Sequence, residues 1–117
     1  MTKFINLHTH KFSNLSDVIE VVNQYPWEFD ASIPNYSIGI HPWYIDENRL
    51  ESDLETIKQK LQLKECFALG ECGLDKRIEI PLEKQLEVFK DQLALVQKTN
   101  KLGRTAAVLP YGVAITG

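Results

Sequence analysis

Acidic residues are missing from positions 92 to 117: all 16 Asp and Glu side chains lie at or before Asp91, and Lys98, Lys101 and Arg104 are the only charges beyond it. A change of this kind marks either a surface tail or a place where one sequence stops and another begins. No apolar run approaches the roughly 20 residues of a membrane span, and the Met-Thr-Lys start has no signal core. Positive charge is not in excess either. The formal net charge is -3, so any nucleic-acid contact needs local positive groups or bound metal. Cysteine is scarce, with only Cys66 and Cys72. They sit on one extended segment, which holds the sulfurs too far apart to bridge. Two free thiols and no leader point to a reducing cytoplasm.

What is present suits one globular domain: 117 residues, 44% hydrophobic and 25% charged. The stretch FINLHTH, residues 4 to 10, reads as a strand, and its period of two puts Asn6, His8 and His10 on one face. Two imidazoles on a rigid backbone are one way to begin a divalent-metal site. By itself the pattern equally fits a strand end facing solvent.

Further along, NLSDVIEVVNQY places Leu15, Val18, Ile19 and Val22 at helical spacing, with Pro26 beyond, and predicts a short amphipathic helix. A second strand is expected from Tyr36 to Ile40, ended by His41 and Pro42. Leu50, Leu54, Ile57 and Leu61 step by helical intervals and predict a helix covering a sheet. CFALGECGLD reads as a buried strand opening into a loop at Glu71. Pro81 suits the first turn of a long helix to about Lys101, with Leu82, Leu86, Phe89, Leu93 and Val96 facing inward.

Strand and helix alternating three times imply an α/β fold: a parallel sheet with right-handed crossovers, doubly wound or part of a barrel. Function gathers at the carboxyl ends of such strands. There the sequence holds all three histidines, His8, His10 and His41, together with Glu71. A carboxylate after an apolar strand is costly to desolvate unless something positive meets it, and a metal would supply that charge.

NLHTH at 6 to 10, GIHPW at 39 to 43 and GECGLD at 70 to 75 resemble, in order and spacing, the TatD-related metal-dependent hydrolases, deoxyribonuclease-like members of the amidohydrolase barrels. EKQLEVFKDQLALVQ at 83 to 97 is similar to the helix after that family's third strand. The resemblance implies a TIM-type (β/α) barrel that binds two divalent ions, magnesium, manganese or zinc, and hydrolyses phosphodiesters in DNA. It implies that His8 and His10 bind one ion, that Glu71 bridges both, that His41 contacts substrate and that Asp75 holds a loop behind the ligands. Zn²⁺ or Mn²⁺ suits this donor set better than Mg²⁺.

A full barrel takes about 250 residues. Residues 1 to 101 correspond to about its first three units. Residues 102 to 117, with no His, Asp or Glu, lack the later ligands the resemblance calls for: two histidines and a late aspartate. Residues 106–109 and 113–115 could form a hairpin or a fourth strand. The reading adopted is a divergent tail, as a frameshift or truncation would leave. The expectation is therefore a partial barrel, inactive alone, whose unclosed edges favour self-association. Two alternatives are a noncatalytic fragment or metal-binding remnant, and a phosphoesterase of the polymerase-and-histidinol-phosphatase type. GIHPW and GECGLD argue against the second.

Overall fold

The computed structural model describes the backbone of residues 4–9, 18–101 and 107–110, and the side chains of residues 20–100 and Val108. Its elements run β1 Phe4–Thr9, β2 Val18–Gln24, β3 Tyr36–Ile38, α1 Leu50–Leu61, β4 Cys66–Cys72, α2 Leu82–Lys101 and β5 Ala107–Pro110. One-turn 3₁₀ helices, Pro26–Glu28 and Pro42–Tyr44, follow β2 and β3. The strands form one sheet in the order β1-β2-β3-β4-β5, and every neighbouring pair is parallel. The expected α/β class with a parallel sheet is what the chain adopts.

One expected element changes type. The segment read as an amphipathic helix contains β2. Its apolar residues do recur at helical intervals, but Val18, Ile19, Val21 and Val22 are β-branched and favour the pleated backbone. Both faces of the strand are also covered: Glu20, Val21, Val22, Asn23 and Gln24 are all buried. A parallel strand covered on both sides carries no alternation of apolar and polar residues, so spacing alone misled. Leu15, Ser16 and Asp17 lie outside the described residues.

Register separates the sheet into two surfaces. Val22 pairs with Tyr36, and Ile38 with Leu69. These positions face the helices, where Tyr36, Ile38, Ile40, Leu69 and Cys72 form a core with Ile57 and Leu61 of α1 and Val88 and Val96 of α2. Each fully buried Ile or Leu there contributes about 1.5–3 kcal/mol. On the opposite surface Asn23 pairs with Ser37, and Ser37 with Ala68, all three small or polar and all buried.

Helix α1 follows expectation. Glu51 and Asp53 occupy its first turn and Lys58 and Lys60 its last, complementing the helix dipole. Helix α2 is rotated from its expected setting. Leu82 and Leu86 are exposed, at 49% and 38%, and the buried line is Gln85, Val88, Gln92, Val96 and Thr99. Phe89 and Leu93 are partly buried against the core. The rotation buries two glutamines that a hydropathy count assigns to solvent.

Within the tail expected to diverge from residue 102, with 106–109 as an alternative strand or hairpin segment, Ala107–Pro110 form β5 beside β4, with Ala107 opposite Ala68 and Leu109 opposite Gly70. Residues 113–115 lie outside the described residues. Cys66 and Cys72 are buried free thiols.

Candidate functional site

Because all five strands run the same way, their exits lie along one edge of the sheet. Glu71 stands at the end of β4 and His41 three residues past β3. His8 lies on β1, of which only the backbone is described, and His10 is outside the described residues. Among the described residues no group of three or more His, Cys, Asp and Glu side chains is placed to hold a metal ion.

Glu71 is set in place by its backbone. Its N–H donates to Asn23 Oδ1 on β2 at 2.6 Å, and Ser37 Oγ on β3 donates to the same oxygen at 3.2 Å. One asparagine thus ties three strands together immediately below the carboxylate. Gly39 makes the close approach possible: a Cβ there would stand 3.0 Å from Glu71 O and 3.1 Å from both C and Cα of Gly70. Since Oδ1 already takes two donors, the amide's orientation is determined. Its Nδ2 is buried and meets no acceptor among the described residues.

Tyr25, just past β2, completes this corner. Its phenol is pushed above its ordinary value by burial first, then by Tyr44, Glu71 and Glu28, with the Asn23 side chain opposing. It therefore remains a protonated donor at neutral pH. Its ring stacks on Trp27 at 4.9 Å, the Arg49 guanidinium lies 4.1 Å from the Trp27 ring, and Tyr44 meets Tyr25 edge-on at 5.4 Å.

His41 is buried and begins the turn at Pro42. Its Nδ1 accepts from the Trp43 backbone N–H at 3.1 Å, so in the neutral ring the proton resides on Nε2. Trp43, half-exposed, is held by its indole: Nε1 donates to Asp75 Oδ2 at 2.8 Å. Asp75 is buried and also receives two bonds from the Arg77 guanidinium, each 2.9 Å, and the Arg77 backbone N–H at 3.0 Å. The Arg77 and Trp43 hydrogen bonds hold its carboxyl well below the usual carboxylate range. Asp75 thereby joins the loop after β4 to the one after β3.

Three buried glutamines, absent from the sequence-derived candidates, grip the loops around this edge by their backbones. Gln85 accepts from Asp75 N at 2.7 Å and donates to Asp75 O at 3.0 Å and Ile80 O at 2.7 Å. Gln92 accepts from Ile40 N at 2.9 Å, fixing the residue before His41. Gln24 does the same for Asp30, accepting from its N–H at 2.6 Å and donating to its carbonyl at 3.0 Å. In each case a primary amide supplies both halves of a strand-like pairing. The only sequence signal is the spacing of Gln85 and Gln92, seven apart and so on one face of α2.

The arrangement can support ligand chemistry of one kind. A carboxylate, a protonated phenol, a buried amide and an imidazole stand at the carboxyl edge of a parallel sheet. A divalent ion would neutralise Glu71, and Asn23 Nδ2 suits an oxygen such an ion carries, so the residues present fit a cation with oxygen ligands.

Comparison with known proteins bears on what that cation would serve. A family model described as TatD related DNase matches residues 1–102. Among solved structures the chain is similar to YjjV, a TatD homologue from Escherichia coli K12, with a TM-score of 0.69 at 22% identity. The match covers 92% of this chain and 49% of that one, so the chain spans about half the length of the solved protein it resembles. At that identity the likeness concerns the fold. No curated protein matches the chain.

Proposed function

The chain belongs to the TatD-related DNase family, and on that premise we propose that it forms part of a divalent-metal-dependent hydrolase that cleaves phosphodiester bonds in DNA. The observation that carries this reading is the position of Glu71 and His41 at the exits of adjacent parallel strands, within the matched residues 1–102. Family-like spacing of the NLHTH motif adds His8 and His10.

In this proposal His8, His10 and Glu71 hold metal. Two ions, of Mg²⁺, Mn²⁺ or Zn²⁺, would acidify the attacking water and stabilise both the entering and leaving oxygens of an in-line displacement. Asn23 keeps the Glu71 backbone fixed through its 2.6 Å bond. His41 contacts the substrate, with Nδ1 occupied by the Trp43 backbone and Nε2 the proton-bearing nitrogen. Asp75 orients Trp43 and the loop beneath it. The protein acts in the cytoplasm; among the described residues no helix is long and apolar enough to cross a membrane.

The proposal extends to what the 117 residues do alone. Residues 102–117 add no side chain of ligand type, and two-metal hydrolysis needs ligands for both ions. The isolated chain therefore leaves DNA intact and associates with a second chain through the edges at β1 and β5. A nuclease assay on single-stranded and duplex DNA with Mg²⁺ or Mn²⁺ tests both parts. The expected result is no cleavage by the chain alone, and cleavage when it is extended with the family's remaining strands, abolished by Glu71→Ala. No cleavage by the extended protein would sink the hydrolase assignment, and cleavage that survives Glu71→Ala would remove Glu71 from the site. Calorimetry with Zn²⁺ or Mn²⁺ tests the ligands separately: equal binding by a His8→Ala, His10→Ala double variant removes them from the site.

A further inference from the structure

Tyr44 ends the turn that begins at His41, and the centroids of the two rings lie 5.4 Å apart. Its backbone is held on both sides: Tyr44 N donates to His41 O at 3.0 Å, and its carbonyl accepts from the Arg49 guanidinium at 2.8 Å. Three rings surround the phenol. Tyr25 and Trp27 meet it at interplanar angles of 72° and 71°, and His41 is tilted by 47°. Among the described residues no ring lies parallel to it, although offset-parallel stacking is one of the two arrangements aromatic rings favour. Tyr44 is nevertheless 43% exposed, at the edge where His41 and Glu71 stand.

The electrostatics of this corner favour a neutral contact with a nucleic acid. Arg49 is paired with Asp46 and Asp53, and Arg77 with Asp75, while Glu28 and Glu71 add negative charge beside Tyr25. Phosphate contacts draw on cations that are not otherwise neutralised, so little affinity comes from the strand's backbone here without metal. A base offers a π-face whatever its identity, and stacking it on an aromatic side chain costs no charge pairing. We propose that Tyr44 is a substrate-binding residue that stacks a nucleobase flanking the phosphodiester presented to His41. This rests on the phosphodiester reading above. A ring held at its backbone and flanked by three others has little freedom left to lose on binding, which suits it to the task.

The test is fluorescence anisotropy of a labelled single-stranded oligodeoxyadenosine titrated with the full chain in Mg²⁺, beside a strand of equal length whose sugars carry no bases. The strand with bases should bind at least about fivefold more tightly. Tyr44→Leu should remove most of that preference and bind the baseless strand as the wild type does, whereas Tyr44→Phe, which keeps the ring, should retain the preference. The baseless strand is thus an internal control for folding. No detectable binding, equal binding of the two strands by the wild type, or the same preference in Tyr44→Leu overturns the proposal. The two readings fail separately. A base preference lost in Tyr44→Leu, with no DNA cleavage by the extended protein, rejects the hydrolase and keeps the stack. Cleavage by the extended protein with KM unchanged in Tyr44→Leu rejects the stack and keeps the hydrolase.

Discussion

Replacing Gln85 by leucine tests whether the amide grip on the Asp75 loop holds the site edge together. The wild-type side chain makes three hydrogen bonds of 2.7, 3.0 and 2.7 Å at a position 1% exposed. Each such bond contributes about 1 kcal/mol net, and leaving the buried Asp75 N–H unpaired adds about 1–3 kcal/mol. Leucine recovers about 1 kcal/mol of that through apolar burial. The expected loss is about 3–5 kcal/mol, which for a domain of this size lowers Tm by about 12–20 °C. Urea and thermal unfolding followed by circular dichroism measure it, with exposed Gln62→Leu as the control expected within about 0.5 kcal/mol. Because Asp75 also holds the Trp43 indole, the Gln85→Leu protein should show red-shifted Trp43 emission in a Trp27→Phe background. A loss below about 1 kcal/mol with unmoved emission would mean that the loop is held by something other than Gln85, and the argument for all three glutamines would fall with it.

Gly39→Ala should cost about 1–3 kcal/mol, because the added carbon meets backbone atoms of Gly70 and Glu71 at 3.0–3.1 Å that cannot rotate away; an unchanged urea midpoint would contradict the close approach. Neither thiol should react with Ellman's reagent at pH 8 in the folded protein, since both are buried and burial, then Glu71, pushes Cys72 up to about 12. Rapid native modification would show that the core opens. The Asp75 carboxyl titrates below its unfolded value, so the stability it contributes is present above ordinary carboxylate pH and is lost only as pH falls through the depressed native value. Trp43 emission in the Trp27→Phe variant should hold steady through pH 4, and a titration centred there would refute the Arg77 and Trp43 contacts.

Periodicity and residue type were sufficient where one surface dominates. The stripe Leu50, Leu54, Ile57 and Leu61 has a single covered face, so its spacing alone defines α1. CFALGEC and the residues around Tyr36 are short apolar runs ended by glycine or proline, and both are strands. Once these were parallel, His41 and Glu71 necessarily shared an edge, because parallel strands have their carboxyl ends on the same side. What spacing could not reveal depends on contacts between residues distant in the chain. Val18–Gln24 is a strand because neighbours cover both of its faces, a condition invisible in its own residues. Gln85 and Gln92 face inward because the backbones of Asp75 and Ile40, 10 and 52 residues away, offer hydrogen bonds there. Asn23 reaches Glu71 across 48 residues. Hydropathy assigns each of these amides to water, and only the assembled sheet supplies the partners that make burying them favourable.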